Sequence, residues 1–240
     1  MATESQLQKS LSRALEANQL CYQFNAKLTE WFTRFETFVD GPLYWPQLSQ
    51  RNSLADSPDL GKLFPVAFCF SSLAVAQTLT MYWTAQIILF YHWHNIINNI
   101  NELATQASEM EGLTCVCAEK LNNPSFSEEA SVQVCPCHFT LVRLPRMGHI
   151  ESVKAPAHKI CQTAEYLLND ELGSVAAVSL IAPLLYVWIY MQASEEGFDR
   201  EQIWIKETLC GLHEKGFQLP RHILTIMGFS LEQEGEESRL

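Results

Sequence analysis

Eight cysteines and seven histidines are the residues of this 240-residue chain with the most chemistry in them. Four of the thiols fall in two pairs, Cys115-Val116-Cys117 and Cys135-Pro136-Cys137-His138. Thiolates and an imidazole are the ligand types of a tetrahedral zinc shell. Structural zinc sites favour two to four residues between paired cysteines, and each pair here has one. A loop carrying incidental thiols is therefore expected, with no metal ligand assigned. Cys21, Cys69, Cys161 and Cys210 stand singly within helical patterns and read as small buried apolar side chains. His92 and His94 are two apart, so a helix turns them to different faces. They cannot grip one metal as an i, i+4 pair would, and each reads as a satisfied buried or boundary histidine.

Carboxylates give no stronger lead. Glu128/Glu129 and Glu195/Glu196 are adjacent pairs among polar loop residues, the pattern of solvated charge. The chain contains no glycine-rich phosphate loop, no Gly-x-Ser-x-Gly, no Cys-x-x-Cys and no His-Glu-x-x-His. No catalytic, cofactor-binding or metal residue is assigned, and the expectation is a non-enzymatic protein. An aromatic-lined pocket between helices stays open as an alternative.

The elements that would position any site are read from periodicity. Residues 4–39 place apolar side chains mostly three, four or seven apart (Leu7, Leu11, Leu15, Tyr22, Phe24, Leu28, Trp31, Phe32, Phe35, Phe38), the period of an amphipathic helix, and Gly41-Pro42 ends it. Residues 41–65, with four prolines, read as a loop that Tyr44 and Trp45 anchor on the core. From Phe64 to about residue 105 the chain is apolar on almost all sides, as buried helices are. Residues 106–152 lose periodicity and read as a flexible Cys-containing insertion. In residues 153–230, Pro156 opens one helix that Gly173 stops; Ser174 caps the next, which Pro183 kinks. Asp199 caps a further helix, and a short one follows near Pro220. Residues 231–240 form an acidic tail. The expected fold is all-α, a single irregular multi-helix bundle with a long insertion loop.

Charge narrows the function classes. With 16 basic and 27 acidic residues the formal charge is −11. Residues 63–101 carry no charge, while residues 155–240 carry 6 basic and 13 acidic groups. Phosphate contacts need a basic surface, so direct nucleic-acid binding is not expected. The N-terminus lacks the basic start and apolar run of a secretory signal, so reduced thiols inside the cell are expected. Residues 63–101 have the length of a membrane span, but Gln77, Thr80, Thr84, Gln86, His92 and Asn95 recur through them, and Val178–Met191 is short; no membrane contact is expected.

Several stretches in order resemble the C-terminal regulatory region of fungal transcription factors of the zinc-binuclear-cluster type. They are Leu28-Thr29-Glu30-Trp31-Phe32, Gly41-Pro42-Leu43-Tyr44-Trp45-Pro46, Leu63 to Phe70, Leu73 to Gln77, Leu79 to Ala85, Ile160 to Tyr166, Gly173 to Leu184 and Glu201 to Trp204. The resemblance spans roughly residues 5–230. In that family a six-cysteine cluster binds two zinc ions and reads DNA; no such motif occurs here, so no DNA-binding residue carries over. The resemblance implies a regulatory part alone, as a truncated product or a stand-alone paralogue. It further implies a nuclear (alternatively cytoplasmic) protein, protein partners that include a dimer with related regulators, and a secondary-metabolite gene cluster as context. The alternative is a cryptic enzyme or small-molecule-binding protein of such a cluster.

Overall fold

The computed structural model describes residues 4–111, 153–194 and 197–228. Within them the chain is mostly helical, with one two-stranded ribbon. α1 (Glu4–Phe38) is followed by β1 (Tyr44–Leu48), β2 (Val66–Phe70), α2 (Leu73–Glu111), α3 (Lys154–Leu167), a 3-10 turn (Asp170–Leu172), α4 (Gly173–Ala193), α5 (Asp199–Glu214) and α6 (Gln218–Ile226). The chain divides into two compact units. One holds the described parts of residues 1–30 and 89–151, the other those of 31–88 and 152–240.

In the first unit Leu7, Leu11, Cys21 and Ile100 are buried. The apolar period of α1 is real, but it is not one buried face: Phe24 is 60% and Phe38 87% exposed. His92 and His94 are exposed as well, which corrects the expectation of buried or boundary rings. Ring nitrogens at such positions are satisfied by water without any protein partner being required.

The second unit is built on the ribbon. β1 and β2 pair antiparallel, with Tyr44 opposite Phe70 and Pro46 opposite Phe68. This corrects two readings: residues 41–65 are not all loop, and the helical region starts at Leu73 rather than Phe64. Pro46 has no N–H to donate, and a two-stranded ribbon tolerates it because each strand is an edge. Tyr44 does anchor on the core, its ring 4.7 Å from that of Phe68 and 5.7 Å from that of Trp83. Trp45 is 43% exposed and does not. α3 packs on β2 and on α4, and α4 meets α5 and α6. Ile160, Leu167, Leu180, Leu184, Ile205 and Leu209 are wholly buried between them. Thr80 and Thr84 lie buried in apolar α2, and their hydroxyls donate to the carbonyls of Ala76 and Thr80, 2.7 Å each. That local bond removes the cost of burying a hydroxyl.

The helix ends shift by a few residues. α3 stops at Leu167, and Asn169 caps the 3-10 turn by accepting from the Glu171 N–H. Gly173 ends that turn at φ 73° and ψ −176° and opens α4, where Leu172, not Ser174, holds the cap position. Phe198, not Asp199, precedes α5. Among the described residues two stretches are long and apolar enough to cross a bilayer, Leu73–Leu103 and Asp170–Ala193, the second longer than the Val178–Met191 run suggested. In the second of them Leu180, Pro183, Leu184, Val187 and Met191 pack inside the unit, as a core helix does.

Candidate functional site

The connection from β1 to β2 runs over α3 and α5 of the same unit, and charged side chains fasten it there. Ser49, Asp56, Ser57 and Gly61 donate their N–H groups to backbone carbonyls within it, and other donors are satisfied by side chains. Glu165 of α3 accepts from Ser49 Oγ at 2.7 Å and from the Gln50 N–H at 2.9 Å. Glu207 of α5 accepts from Ser53 Oγ at 2.6 Å and from the Leu54 N–H at 3.1 Å. Asp56 accepts from the N–H groups of Ser53 and Leu63, both at 3.0 Å. Cations serve the carbonyls in the same way. Lys62 Nζ donates to Ser49 O and Arg51 O, at 3.0 and 2.9 Å. Arg200 of α5 donates through Nε to Ala55 O and through Nη2 to Gly61 O, at 2.9 and 2.8 Å. Carboxylates on N–H groups and cations on carbonyls are the stronger, charge-assisted kind of hydrogen bond.

Arg51 sits beneath this clasp. Its guanidinium carbon lies 4.9 Å from the centre of the Trp204 ring. Its Nη1 is closed to solvent and has no hydrogen-bond partner among the described residues. Burial holds the guanidinium below its ordinary pKa, while the charges of Glu207 and Glu165 act the other way. Arginine stays protonated through shifts of this kind. Both carboxylates also accept from loop donors, so Arg51 is a half-buried cation flanked by two anions that tie the loop to α3 and α5.

Two hollows adjoin it. One of about 20 Å³ lies among Ser49, Arg51, Phe64, Cys161 and Trp204. The other, a cleft of about 300 Å³, opens between Arg51, Glu165 and Leu168 on one side and Thr208, Leu212 and Lys215 on the other. Gly211 also lines it, and a Cβ built there meets nothing within 4 Å.

Beside the clasp, His158 Nε2 lies 3.3 Å from Glu201 Oε1, and the imidazole meets Phe64 edge-on at 5.4 Å. Phe64 in turn meets Trp204 edge-on at 5.1 Å. Cys161 is wholly buried nearby, and burial first, then Glu201, pushes its thiol far above the ordinary value. His158 pairs with Glu201, and Cys161 feels the Glu201 charge, but burial dominates the thiol. A nucleophilic cysteine needs its thiolate favoured, and this environment drives the proton the other way.

Of the residues singled out in the sequence, Cys21 and Cys161 are buried free thiols as expected, and Cys69 and Cys210 are only partly covered. Cys115, Cys117, Cys135 and Cys137 lie outside the described residues, as do Glu128, Glu129, Glu195, Glu196 and the acidic tail. Among the described residues no three His, Cys, Asp or Glu side chains gather as metal ligands do. Sequence reasoning passed over Arg51, Glu165, Glu207, Lys62 and Arg200. Their signal was faint: a few charges at the margin of a Ser- and Pro-rich loop, and acids on helix faces otherwise half apolar. Comparison with protein-family models, with curated proteins and with solved structures finds no match to this chain.

Proposed function

We propose that the chain is a non-enzymatic regulatory protein of the kind its segments resemble, the helical effector region of a fungal zinc-cluster transcription factor. It acts through protein contacts in the nucleus, without touching DNA itself, and serves a secondary-metabolite gene cluster. One observation supports the reading. The resembling segments are spread along more than 170 residues, yet aromatic contacts join several of them in small clusters within one compact unit. Phe32 stacks on Tyr82 at 4.3 Å and Trp31 lies 5.9 Å from the same ring. Tyr44 meets Phe68 and Trp83, Phe70 meets Tyr166 at 5.1 Å, and Phe64 meets Trp204. Segments that pack together in this way are compatible with one shared helical fold.

The test is affinity purification of the tagged chain from fungal cells with identification of what accompanies it. A zinc-cluster regulator or a component of the transcription machinery at near-equal amount is expected. Recovery of neither, over repeated preparations, overturns the proposal. A second reading, a small-molecule-binding protein of a biosynthetic cluster, is favoured by one feature, the cleft beside Arg51.

A further inference from the structure

We infer that a second copy of this chain docks antiparallel along α1, through one exposed stripe of that helix. The stripe is Leu20, Phe24, Lys27, Trp31, Arg34 and Phe38, in steps of four, three, four, three and four residues. That alternation keeps side chains on one line of a helix and forms the seam of a coiled coil. All six are exposed: Leu20 52%, Phe24 60%, Trp31 38% and Phe38 87%, with Lys27 and Arg34 open as well. The buried residues of α1 (Leu7, Leu11, Asn18 and Cys21) lie off this line, so core packing does not account for it. Apolar side chains scattered singly on a surface need no explanation; a periodic row of one leucine and three aromatic rings does. Trp31 is also set in place, its ring stacked on Phe35 at 5.4 Å and 5.9 Å from that of Tyr82.

The order of residue types along the stripe selects the occupant and its direction. The six positions are symmetric about Thr29. When two copies pair antiparallel with the two-fold axis at Thr29, Leu20 meets Phe38 of the other copy, Phe24 meets Arg34, and Lys27 meets Trp31. Each cation then faces an aromatic ring, whose negative face attracts it, and tryptophan is the strongest ring of this kind. The outer layers, Leu20 with Phe38, are apolar on both sides. A two-fold interface demands such self-complementarity, because each contact must occur twice with the roles exchanged. A parallel pair in register fails, since Lys27 would meet Lys27 and Arg34 would meet Arg34. An antiparallel shift of one heptad leaves two of the six positions without a counterpart in the stripe. Glu30 falls beside the axis, one turn from Lys27 and from Arg34 of its own helix, so the two carboxylates come together among four cations. The inference goes beyond the regulatory reading and does not rest on it.

The experiment is sedimentation equilibrium of the full chain over a concentration series, joined to photo-cross-linking with p-benzoylphenylalanine in place of Phe24. A concentration-dependent dimer is expected, with the cross-link landing around Arg34 of the other copy; mixing isotope-labelled and unlabelled chains marks the link as one between copies. Lys27→Glu sets a carboxylate against the face of the Trp31 ring and should weaken the dimer by about tenfold or more. Phe24→Ala, which removes the ring opposite Arg34, should do the same, and both should keep the urea midpoint. A monomer at every concentration up to about 100 μM overturns the inference. So does a dimer that either variant leaves as tight as the wild type, or one whose cross-links fall only away from Arg34. Should a variant shift the urea midpoint, the dimer and the position of its cross-link still decide. A monomer that captures a transcription regulator would overturn this inference alone, and a dimer that captures none would overturn the regulatory reading alone.

Discussion

Glu165→Ala should loosen the β1–β2 connection from α3 at a measurable cost to the fold. The carboxylate makes two bonds of good length, 2.7 Å to Ser49 Oγ and 2.9 Å to the Gln50 N–H. A third, to the Arg51 N–H, is 3.4 Å long and beyond the range where such bonds carry much energy. Hydrogen bonds to a charged group contribute roughly 1.5–3 kcal/mol each. Glu165 is half-buried, so the lower end applies, and two bonds give about 3 kcal/mol. Glu165→Gln keeps one acceptor oxygen and should lose about half of that. Ser49→Ala removes the 2.7 Å bond alone, and its effect should shrink in the Glu165→Ala background, because the two act on one contact. Urea unfolding followed by far-UV circular dichroism reads the stability, and hydrogen exchange reads the Gln50 amide, whose protection should fall most. A loss below about 0.5 kcal/mol for Glu165→Ala, with Gln50 protected as before, would refute the reasoning, since two bonds to a charged carboxylate contribute more than that.

Four further outcomes follow from the same structure. Arg200→Met removes the bonds to Ala55 O and Gly61 O, and limited proteolysis should then cut residues 52–63 at least several-fold faster; an unchanged cutting rate contradicts the clasp. Gly173→Ala should destabilise by about 1–3 kcal/mol, because φ 73° with ψ −176° suits glycine alone, whereas Gly211→Ala in α5 should stabilise by about 0.5–1 kcal/mol; thermal melts compare the two. Burial raises the Cys161 thiol above its ordinary 9.0, so its contribution is fully present below pH 9 and is lost as pH rises from there towards the folded value; unfolding free energy should fall between pH 8.5 and 10.5 by up to about 1.4 kcal/mol per pH unit from this group, less steeply in Cys161→Ala, and equal slopes would contradict the buried thiol. Carbonate extraction should leave the chain in the soluble fraction, and retention in the membrane pellet would assign Leu73–Leu103 or Asp170–Ala193 to the bilayer instead.

How much of this was readable in advance depended on whether the interaction was local. The helices were, because Leu7 and Leu11, or Ile160, Ala164 and Leu167, repeat at the helical period whatever they pack against. The exposure of Phe24 and Phe38 was not, since periodicity gives a face and not what covers it. The ribbon was missed because each strand has five residues, Pro46 argues against a strand, and the partners Tyr44 and Phe70 are separated by a proline-rich connection. Val66 to Phe70 is too short and too apolar to be told from the start of the helix that follows it. The clasp was the least legible part. Ser49 meets a carboxylate 116 residues away and Ser53 one 154 residues away, and no spacing rule connects them. What the sequence did carry was the composition such a loop needs: serines, a turn aspartate and isolated charges.

The central claim is that this helical chain alters transcription through protein contacts and not by binding DNA itself. Fusing residues 1–240 to an unrelated DNA-binding domain, with a reporter gene in a fungal host, tests it most directly. The account predicts a reporter level changed by at least about threefold relative to the DNA-binding domain alone, and no retention of the unfused chain on DNA at physiological salt. A reporter level equal to that of the DNA-binding domain alone, or salt-sensitive DNA binding by the unfused chain, would contradict it.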